Sequence, residues 1–217
     1  MDNATGRMAY PTPDELIARL RSANSRTVAD EILLHGVPFV FRDDPSEFEA
    51  LKAHLAGRLA VPAAQIFVVG SAQVGYSLAP HKFRAPLTDA SDIDVVVVSA
   101  ERFDQAWHSM IAWGHPIRDP NSPTKPLRNE RTWLGRQTWD TFWGWLIPDQ
   151  IPSAGLRRDA VMKNLWDLKL AWFDAFKTLT GVGRQLARRD VRGRLYRDRE
   201  HVLLYHAFGL EQLKPAG

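Results

Sequence analysis

Two short apolar runs constrain the fold of this chain more than any other feature, because each adjoins polar residues that a buried strand does not need. The first run, "IFVV" at 66–69, leads directly into "GSAQVGYS" at 70–77. The second run, "IDVVVV" at 93–98, follows "SD" and contains a further aspartate. Short runs rich in β-branched residues are typical of buried strands. We therefore expect a sheet in which a glycine–serine turn ends one strand and an aspartate pair opens the next.

Composition narrows the class of protein. The 217 residues can form one domain, or one domain with a small lobe, and 45% hydrophobic with 24% charged residues is typical of a globular protein. No apolar stretch is long enough to span a bilayer and no signal-peptide pattern is present, so we expect no membrane association and a cytoplasmic location. Cysteine is absent, which excludes disulfides and fits a reducing compartment. A net charge of +3 is too small to indicate nonspecific binding of nucleic acid over the whole surface.

The order of predicted elements indicates an α/β (α+β) fold. Thr12, Pro13 and Glu15 form a capping-box pattern that predicts a helix beginning at Pro13. We predict strands at 66–69 and 93–98. Further elements predicted in the first part of the chain are helices at 27–35, 45–59 and 100–114, a strand at 37–41 and a short helix within 70–78.

The second part of the chain has a different character. Residues 114–131 are basic and aperiodic and predict a long loop, and "TWDTFWGWLIP" at 138–148 predicts a third strand. Two long amphipathic patterns follow, at 156–179 and 192–213, and predict helices. We therefore expect a mixed-sheet core over 1–154 and a helical C-terminal lobe over 155–217.

Asp92 and Asp94 are candidate metal ligands. Residues two apart on a strand point to one face, so the two carboxylates would lie side by side. Their mutual repulsion favours a bound cation, and oxygen ligands are those that Mg²⁺ prefers. An Asp-x-Asp pattern is also common by chance, as a strand-end cap and a surface residue in solvent. The neighbouring turn is needed to choose between these readings.

Gly70 and Ser71 are candidate phosphate-binding residues. A strand that ends in Gly-Ser and enters a short helix leaves free backbone N–H groups, which bind phosphate well. Gly70 would allow close approach of the backbone, and the Ser71 hydroxyl could donate to a phosphate oxygen. Taken alone, Gly-Ser is as compatible with an ordinary strand-to-helix turn. The turn followed by an Asp-x-Asp strand is the informative combination.

This combination resembles the signature of the DNA polymerase β-like nucleotidyltransferase superfamily, read here as Val69-Gly70-Ser71 and Asp92-Ile93-Asp94-Val95. Together with "RLYRDREH" at 194–201, it looks like a bacterial family of small stand-alone nucleotidyltransferases associated with anti-phage defence. The resemblance implies catalytic, metal-binding roles for Asp92 and Asp94 with Mg²⁺ or Mn²⁺. It implies nucleotide-binding roles for Gly70 and Ser71, and a nucleoside triphosphate as substrate.

Two departures from the superfamily pattern bear on activity. The segment between Ser71 and Asp92 is long, with "PHKFRAPLTDA" as an insertion that either reaches the substrate or is decoration. Active members have a third carboxylate on a later strand, for which Asp140 and Asp149 are both candidates. A site with only two carboxylates would bind metal weakly or be inactive.

The C-terminal basic segment offers further candidates. Seven arginines stand against two aspartates between residues 184 and 199. The resemblance implies that basic residues of a helical lobe contact the triphosphate, and Arg194 and Arg197, three apart on a predicted helix, would share a face and bind the nucleotide. A solvated helix face is the equally weighted alternative. His201 and His206, five apart, show no metal-ligand spacing.

The sequence therefore predicts a metal-dependent nucleotidyltransferase that transfers a nucleoside monophosphate to a hydroxyl acceptor, with a role in antiviral defence. The acceptor could be a nucleotide, an oligonucleotide, an RNA end or a protein, so nucleic acid and a partner protein are both candidate partners. A catalytically degenerate fold that only binds nucleotide or nucleic acid is one alternative. A component of a toxin–antitoxin pair is another.

Overall fold

The computed structural model describes residues 10–119, 121, 128–152 and 162–214. The described part of the chain has a mixed α/β fold built on a four-stranded sheet. Its strands are β1 (Ile66–Val69), β2 (Ile93–Val98), β3 (Trp145–Leu146) and β4 (Val191–Tyr196), in the order β1-β2-β4-β3. β2 and β4 are parallel, and the two outer pairs are antiparallel.

Helices cover both faces of the sheet. In the described ranges they are α1 (Pro13–Ser22), α2 (Ser25–Leu33), α3 (Pro45–Leu59), α4 (Ser71–Val74), α5 (Ala100–Arg118), α6 (Arg128–Phe142), α7 (Lys163–Lys177), α8 (Arg184–Arg188) and α9 (Arg199–Glu211). None of them is both long and apolar enough to cross a bilayer.

The predicted start of α1 is confirmed. The Thr12 hydroxyl accepts from the Glu15 N–H at 3.3 Å, and the Thr12 N–H donates to the Glu15 carboxylate at 2.7 Å. The predicted helix at 45–59 is also confirmed, as α3. Asp44 caps that helix, but the buried Glu47 accepts from the N–H groups of Gln185 and Leu186 at the start of α8.

Each face of the sheet has its own core. Ile66, Val95 and Leu195 point to the first face, which packs against α3, α5 and α7. Val69 and Tyr196 point to the second face, which packs against α1, α2 and α9. Alternation along each strand therefore separates the two cores.

The strand predicted at 37–41 is wrong. Residues Phe39–Phe41 form a 3₁₀ turn. The Phe41 ring is buried and stacks on Phe48 of α3, with ring centroids 5.8 Å apart. The apolar run is therefore satisfied by packing on a helix instead of by pairing in the sheet.

The loop predicted at 114–131 is wrong at 114–118 and 128–131, and the strand predicted at 138–148 is confirmed only at Trp145–Leu146. α5 continues to Arg118, and α6 runs from Arg128 to Phe142, with residues 120 and 122–127 outside the description. Gly144, with φ 74°, then turns the chain into the two-residue strand β3. The aromatic residues before Gly144 that we took for a strand pattern lie on helix α6.

The helix predicted at 192–213 is wrong in its first part, which is strand β4. Val191, Gly193 and Leu195 point to one face, and Arg192 and Arg194 point to the other. Asp198 accepts from the His201 N–H and begins α9. The C-terminal segment therefore contributes a central strand as well as helices, and Arg194 and Arg197 do not share a helix face.

Candidate functional site

An open cleft of about 570 Å³ lies at one end of the second sheet face. Its walls come from the end of β1, the first halves of β2 and β4, the segment after β3, and α9. Helix α9 packs over Tyr196 and Val98 farther along the strands and leaves this end accessible. The polar residues that line the cleft are Asp94, Asp149, Gln150, Arg192, Arg194, Tyr196, Tyr205 and His206.

Asp94 lies on the floor of the cleft. Its neighbours across the sheet are Val69 on β1 and Arg192 on β4. The residue is reached by solvent through the cleft, yet the surrounding protein still desolvates its carboxyl group. This desolvation raises the pKa of Asp94, with Arg194 acting in the opposite sense and Asp92 adding to the rise. Asp94 would therefore gain from a cation in the cleft.

Asp92 lies just before β2 and has a cationic partner. Its Oδ2 atom is 2.9 Å from Nη1 of Arg192, the residue that pairs with Asp94 across the sheet. The Arg192 side chain is largely exposed. Asp92 is close enough to act electrostatically on Asp94, but it is not among the residues that line the cleft, and its carboxylate is already paired with a guanidinium group.

Gly70 places the turn that follows β1 against the carboxylate of Asp94. Its φ and ψ are 68° and −146°, a backbone conformation essentially reserved for glycine. A Cβ atom at this position would lie 3.4 Å from Oδ2 of Asp94. Ser71 begins α4, a single turn, and is not among the residues that line the cleft. The structure thus brings Gly70, but not the Ser71 side chain, to the cleft.

The loop before β2 is fixed by Arg189. Its guanidinium donates to the carbonyl oxygens of Thr88 and Ser91 and to the carboxylate of Asp89. Only 6% of the Arg189 side chain is exposed. Arg189 therefore positions the chain directly before Asp92, a role that the sequence did not reveal.

The two candidates for a third carboxylate differ in position. Asp149 lies in the 3₁₀ turn after β3 and lines the cleft, and burial raises its pKa while Lys169 acts in the opposite sense. Asp140, near the end of α6, does not line the cleft. No group of three acidic, histidine or cysteine side chains in the described residues is arranged to hold a metal ion. Of the two candidates, Asp149 is therefore the one that shares the cleft with Asp94.

The two candidate arginines are separated by the structure. Arg194 projects into the cleft, with its guanidinium carbon 5.0 Å from the Trp145 ring centroid and 5.1 Å from that of Tyr205. Arg197 lies outside the cleft and pairs with Asp104 through two contacts of 2.9 Å and 3.4 Å. Arg194 belongs to the site, and Arg197 has a structural partner elsewhere.

Sequence reasoning did not assign Arg192 or His206 to the site, although both line the cleft. Strand alternation would have placed Arg192 and Arg194 on one face if residues 191–196 had been recognised as a strand. His206 has no signal in the sequence, because it meets the cleft only through the packing of α9. Its Nε2 atom is buried without a hydrogen-bond partner. Burial, together with Arg194, lowers the pKa of His206 to about 4.

No protein-family model, curated protein or solved structure matches this chain. The resemblance seen in the motif therefore stays a prediction, and the functional argument rests on the residues of the cleft.

A second groove, of about 320 Å³, lies between α5 and α6. Its lining is mainly apolar and includes Trp107, Ile111 and Phe142, with no carboxylate, lysine or arginine among the lining residues. Among the described residues, this groove therefore offers no charged group for chemistry. The cleft at Asp94 is the better candidate for a functional site.

Proposed function

We propose that this chain is a metal-dependent nucleotidyltransferase, which transfers a nucleoside monophosphate from a nucleoside triphosphate to a hydroxyl acceptor in the Asp94 cleft. The observation that carries the proposal is the close approach of Gly70 to the Asp94 carboxylate, in a cleft that also contains Arg192 and Arg194. A glycine turn against an acidic strand, with guanidinium groups opposite, is suited to a ligand that has both phosphates and a metal ion.

The donor set fits Mg²⁺ or Mn²⁺ bound together with substrate. Mg²⁺ is commonly held by one or two protein carboxylates and completed by phosphate oxygens and water. Asp92 and Asp94 would provide the carboxylates, and the desolvated carboxyl of Asp94 favours a cation nearby. Asp92 is paired with Arg192, so its ligation requires this exposed guanidinium to move toward the phosphates. When bound, the metal neutralises phosphate charge and lowers the pKa of an attacking hydroxyl.

The other groups of the cleft bind and orient the substrate. Gly70 admits the phosphate chain close to the backbone because it has no side chain. Arg192 and Arg194 neutralise phosphate oxygens and can pair with them bidentately. Tyr205 and His206, on α9, cover one side of the cleft and reduce access of water. Positioning and electrostatics of this kind account for most of the rate in phosphoryl-group transfer.

The hydroxyl acceptor can belong to several classes of molecule. A nucleotide, an oligonucleotide, an RNA end and a protein hydroxyl are all compatible with an open cleft of this size. A cytoplasmic location and a role in bacterial antiviral defence rest on the sequence alone.

A second candidate is a binding module that holds a nucleotide without turnover. It is favoured by one specific observation, the ion pair between Asp92 and Arg192, which occupies a carboxylate that the metal needs. In this case Arg192 would keep its partner when nucleotide binds, and Asp149 would stay remote from the phosphates.

Incubation of the protein with each labelled nucleoside triphosphate and Mg²⁺ or Mn²⁺ separates the two candidates. A transferase releases pyrophosphate and labels an acceptor, whereas a binding module retains intact triphosphate. Retention of intact triphosphate with every metal and acceptor tested would reject the transferase and favour the binding module.

A further inference from the structure

Arg194 is a largely enclosed cation, and no carboxylate of the described residues lies close enough to be its counter-ion. It lies on the central strand β4, between the rings of Trp145 and Tyr205. Within the part of the chain that the structure describes, no carboxylate forms an ion pair with it. Asp94 and Asp140 act on it only through longer-range electrostatics. The charge is therefore desolvated without being neutralised.

Two polar atoms next to this guanidinium are also unsatisfied. The Nε2 atom of His206 is buried and has no hydrogen-bond partner, and the buried Tyr196 hydroxyl interacts with the Arg194 guanidinium itself without forming a hydrogen bond of normal geometry. Both residues line the cleft, and Arg194 influences the pKa of each. Buried polar groups are nearly always hydrogen-bonded in folded proteins, so two exceptions beside an unpaired cation call for a shared explanation.

The aromatic contacts of Arg194 do not explain it. A cation–π contact recovers only a small part of the free energy that it costs to remove an ion from water. A water molecule could satisfy Tyr196 or His206 but would not neutralise the guanidinium. An anion with several acceptor oxygens satisfies all three groups together.

The position of Arg194 relative to Asp94 indicates which anion. Asp94 pairs with Arg192 across the sheet, and Arg194 lies two residues farther along β4 on the same face. A strand spacing of about 4.8 Å and a rise of about 3.3 Å per residue place the two Cα atoms about 8 Å apart. Two successive groups of a polyphosphate chain can span this separation once the arginine side chain is included.

We propose that Arg194, Tyr196 and His206 form a subsite for the terminal phosphates of a nucleoside triphosphate. The assignment to a nucleotide rests on the proposed function, in which the Asp94 end of the cleft receives the phosphate that reacts. The subsite selects triphosphates over monophosphates, because a monophosphate at Asp94 does not reach Arg194. His206 is neutral at physiological pH and donates from Nε2 without adding a second cation.

Binding of inorganic tripolyphosphate tests this subsite without any need for catalysis. Calorimetric titration in EDTA, at fixed ionic strength, compares wild type with Arg194→Gln and with Arg197→Gln as the matched control. We expect Arg194→Gln to weaken binding about tenfold or more and Arg197→Gln to leave it unchanged. Tyr196→Phe and His206→Phe should each weaken it less, since each removes one neutral hydrogen bond.

Each outcome of this titration decides the subsite. Equal dissociation constants for wild type and Arg194→Gln, or no tripolyphosphate binding to wild type, would overturn it. Loss of binding in Arg194→Gln supports it even if wild type releases no pyrophosphate from any nucleotide, and in that case only the transferase proposal fails. If Arg194→Gln does not fold, the double variant with Tyr196→Phe and His206→Phe is measured instead. Weaker binding of tripolyphosphate by this double variant supports the subsite, and unchanged binding overturns it.

Discussion

The backbone of Gly70 lies against the carboxylate of Asp94, so closely that a Cβ atom on residue 70 would be 3.4 Å from Oδ2. The turn after β1 and the start of β2 therefore form one surface, although more than twenty residues separate them in the chain. The positive φ of Gly70 maintains this approach, since other residues rarely adopt it. A ligand at Asp94 meets exposed backbone on this side instead of a side chain.

Replacing Gly70 with alanine should weaken nucleotide binding and destabilise the fold. We expect a loss of about 1–3 kcal/mol in the free energy of unfolding from backbone strain, and a reduced affinity because the new methyl group crowds the carboxylate. Gly57→Ala is the control, because a Cβ atom there meets nothing within 4 Å and the residue lies within helix α3. Denaturant titration and nucleotide binding measure the two effects. Unchanged affinity in Gly70→Ala would remove Gly70 from the site.

Asp94→Asn should stabilise the metal-free protein at neutral pH. Because the folded-state pKa of Asp94 is raised, the unfolded chain loses its proton at a lower pH than the folded one, and stability falls as the pH rises through this interval. Asp94→Asn does not have this loss of stability. The difference in stability between the variant and wild type should therefore appear above the ordinary pKa of about 3.8 and vanish below it. Thermal unfolding across pH measures it. Mg²⁺ with nucleotide should raise the melting temperature of wild type and not of the variant; a stability difference independent of pH would contradict the assignment.

Local patterns predicted the acidic half of the site. β1 and β2 are short, continuous apolar runs, which are recognisable as buried strands without knowledge of the rest of the chain. The glycine, serine and aspartates next to them are not needed to form a strand, so they indicated a site. The glycine turn and the Asp-x-Asp strand taken together therefore pointed to Gly70, Asp92 and Asp94, whereas neither pattern was decisive by itself. Their close approach follows from the antiparallel pairing of β1 with β2, in which Val69 pairs with Asp94.

The basic half of the site could not be predicted in the same way. In β4 the polar positions are long arginine side chains, and the apolar positions include Gly193, so the strand pattern is weak. Gly193 is required because Trp172 and Phe176 of α7 occupy the space that a side chain would fill. This constraint comes from tertiary packing and leaves no periodic signal in the sequence. The position of His206 is equally hidden in the sequence, because it depends on how α9 packs against the sheet.

His206 should stay neutral well below the ordinary pKa of histidine. Its folded-state pKa is about 4, so between pH 6.5 and 4 the unfolded chain binds more protons and stability falls as the pH falls. His206→Phe should reduce this loss over the same interval. Chemical shifts of the imidazole Cε1–H group, followed from pH 8 to 4, measure the titration directly. A midpoint near 6.5 would show that the ring is solvated and not enclosed beside Arg194.

Arg189→Met should loosen the loop that precedes Asp92. The change keeps an unbranched apolar side chain but removes the donors to Thr88, Ser91 and Asp89, and we expect a loss of about 1–3 kcal/mol in the free energy of unfolding. Arg188→Met, at an exposed neighbouring position, is the control. Hydrogen exchange at residues 88–91 should increase in the first variant only. Equal exchange in both variants would mean that Arg189 does not position the loop.

Pyrophosphate release by wild type, Asp94→Asn and Asp190→Asn is the most direct measurement of the central claim. Asp190 is an exposed carboxylate at the start of β4 that does not line the cleft, so it controls for loss of charge near Arg192. With Mg²⁺ or Mn²⁺ and a nucleoside triphosphate, we predict release by wild type and by Asp190→Asn, and a rate at least about a hundredfold lower in Asp94→Asn. Release by Asp94→Asn at the wild-type rate, or none by wild type with any nucleoside triphosphate, would contradict the account.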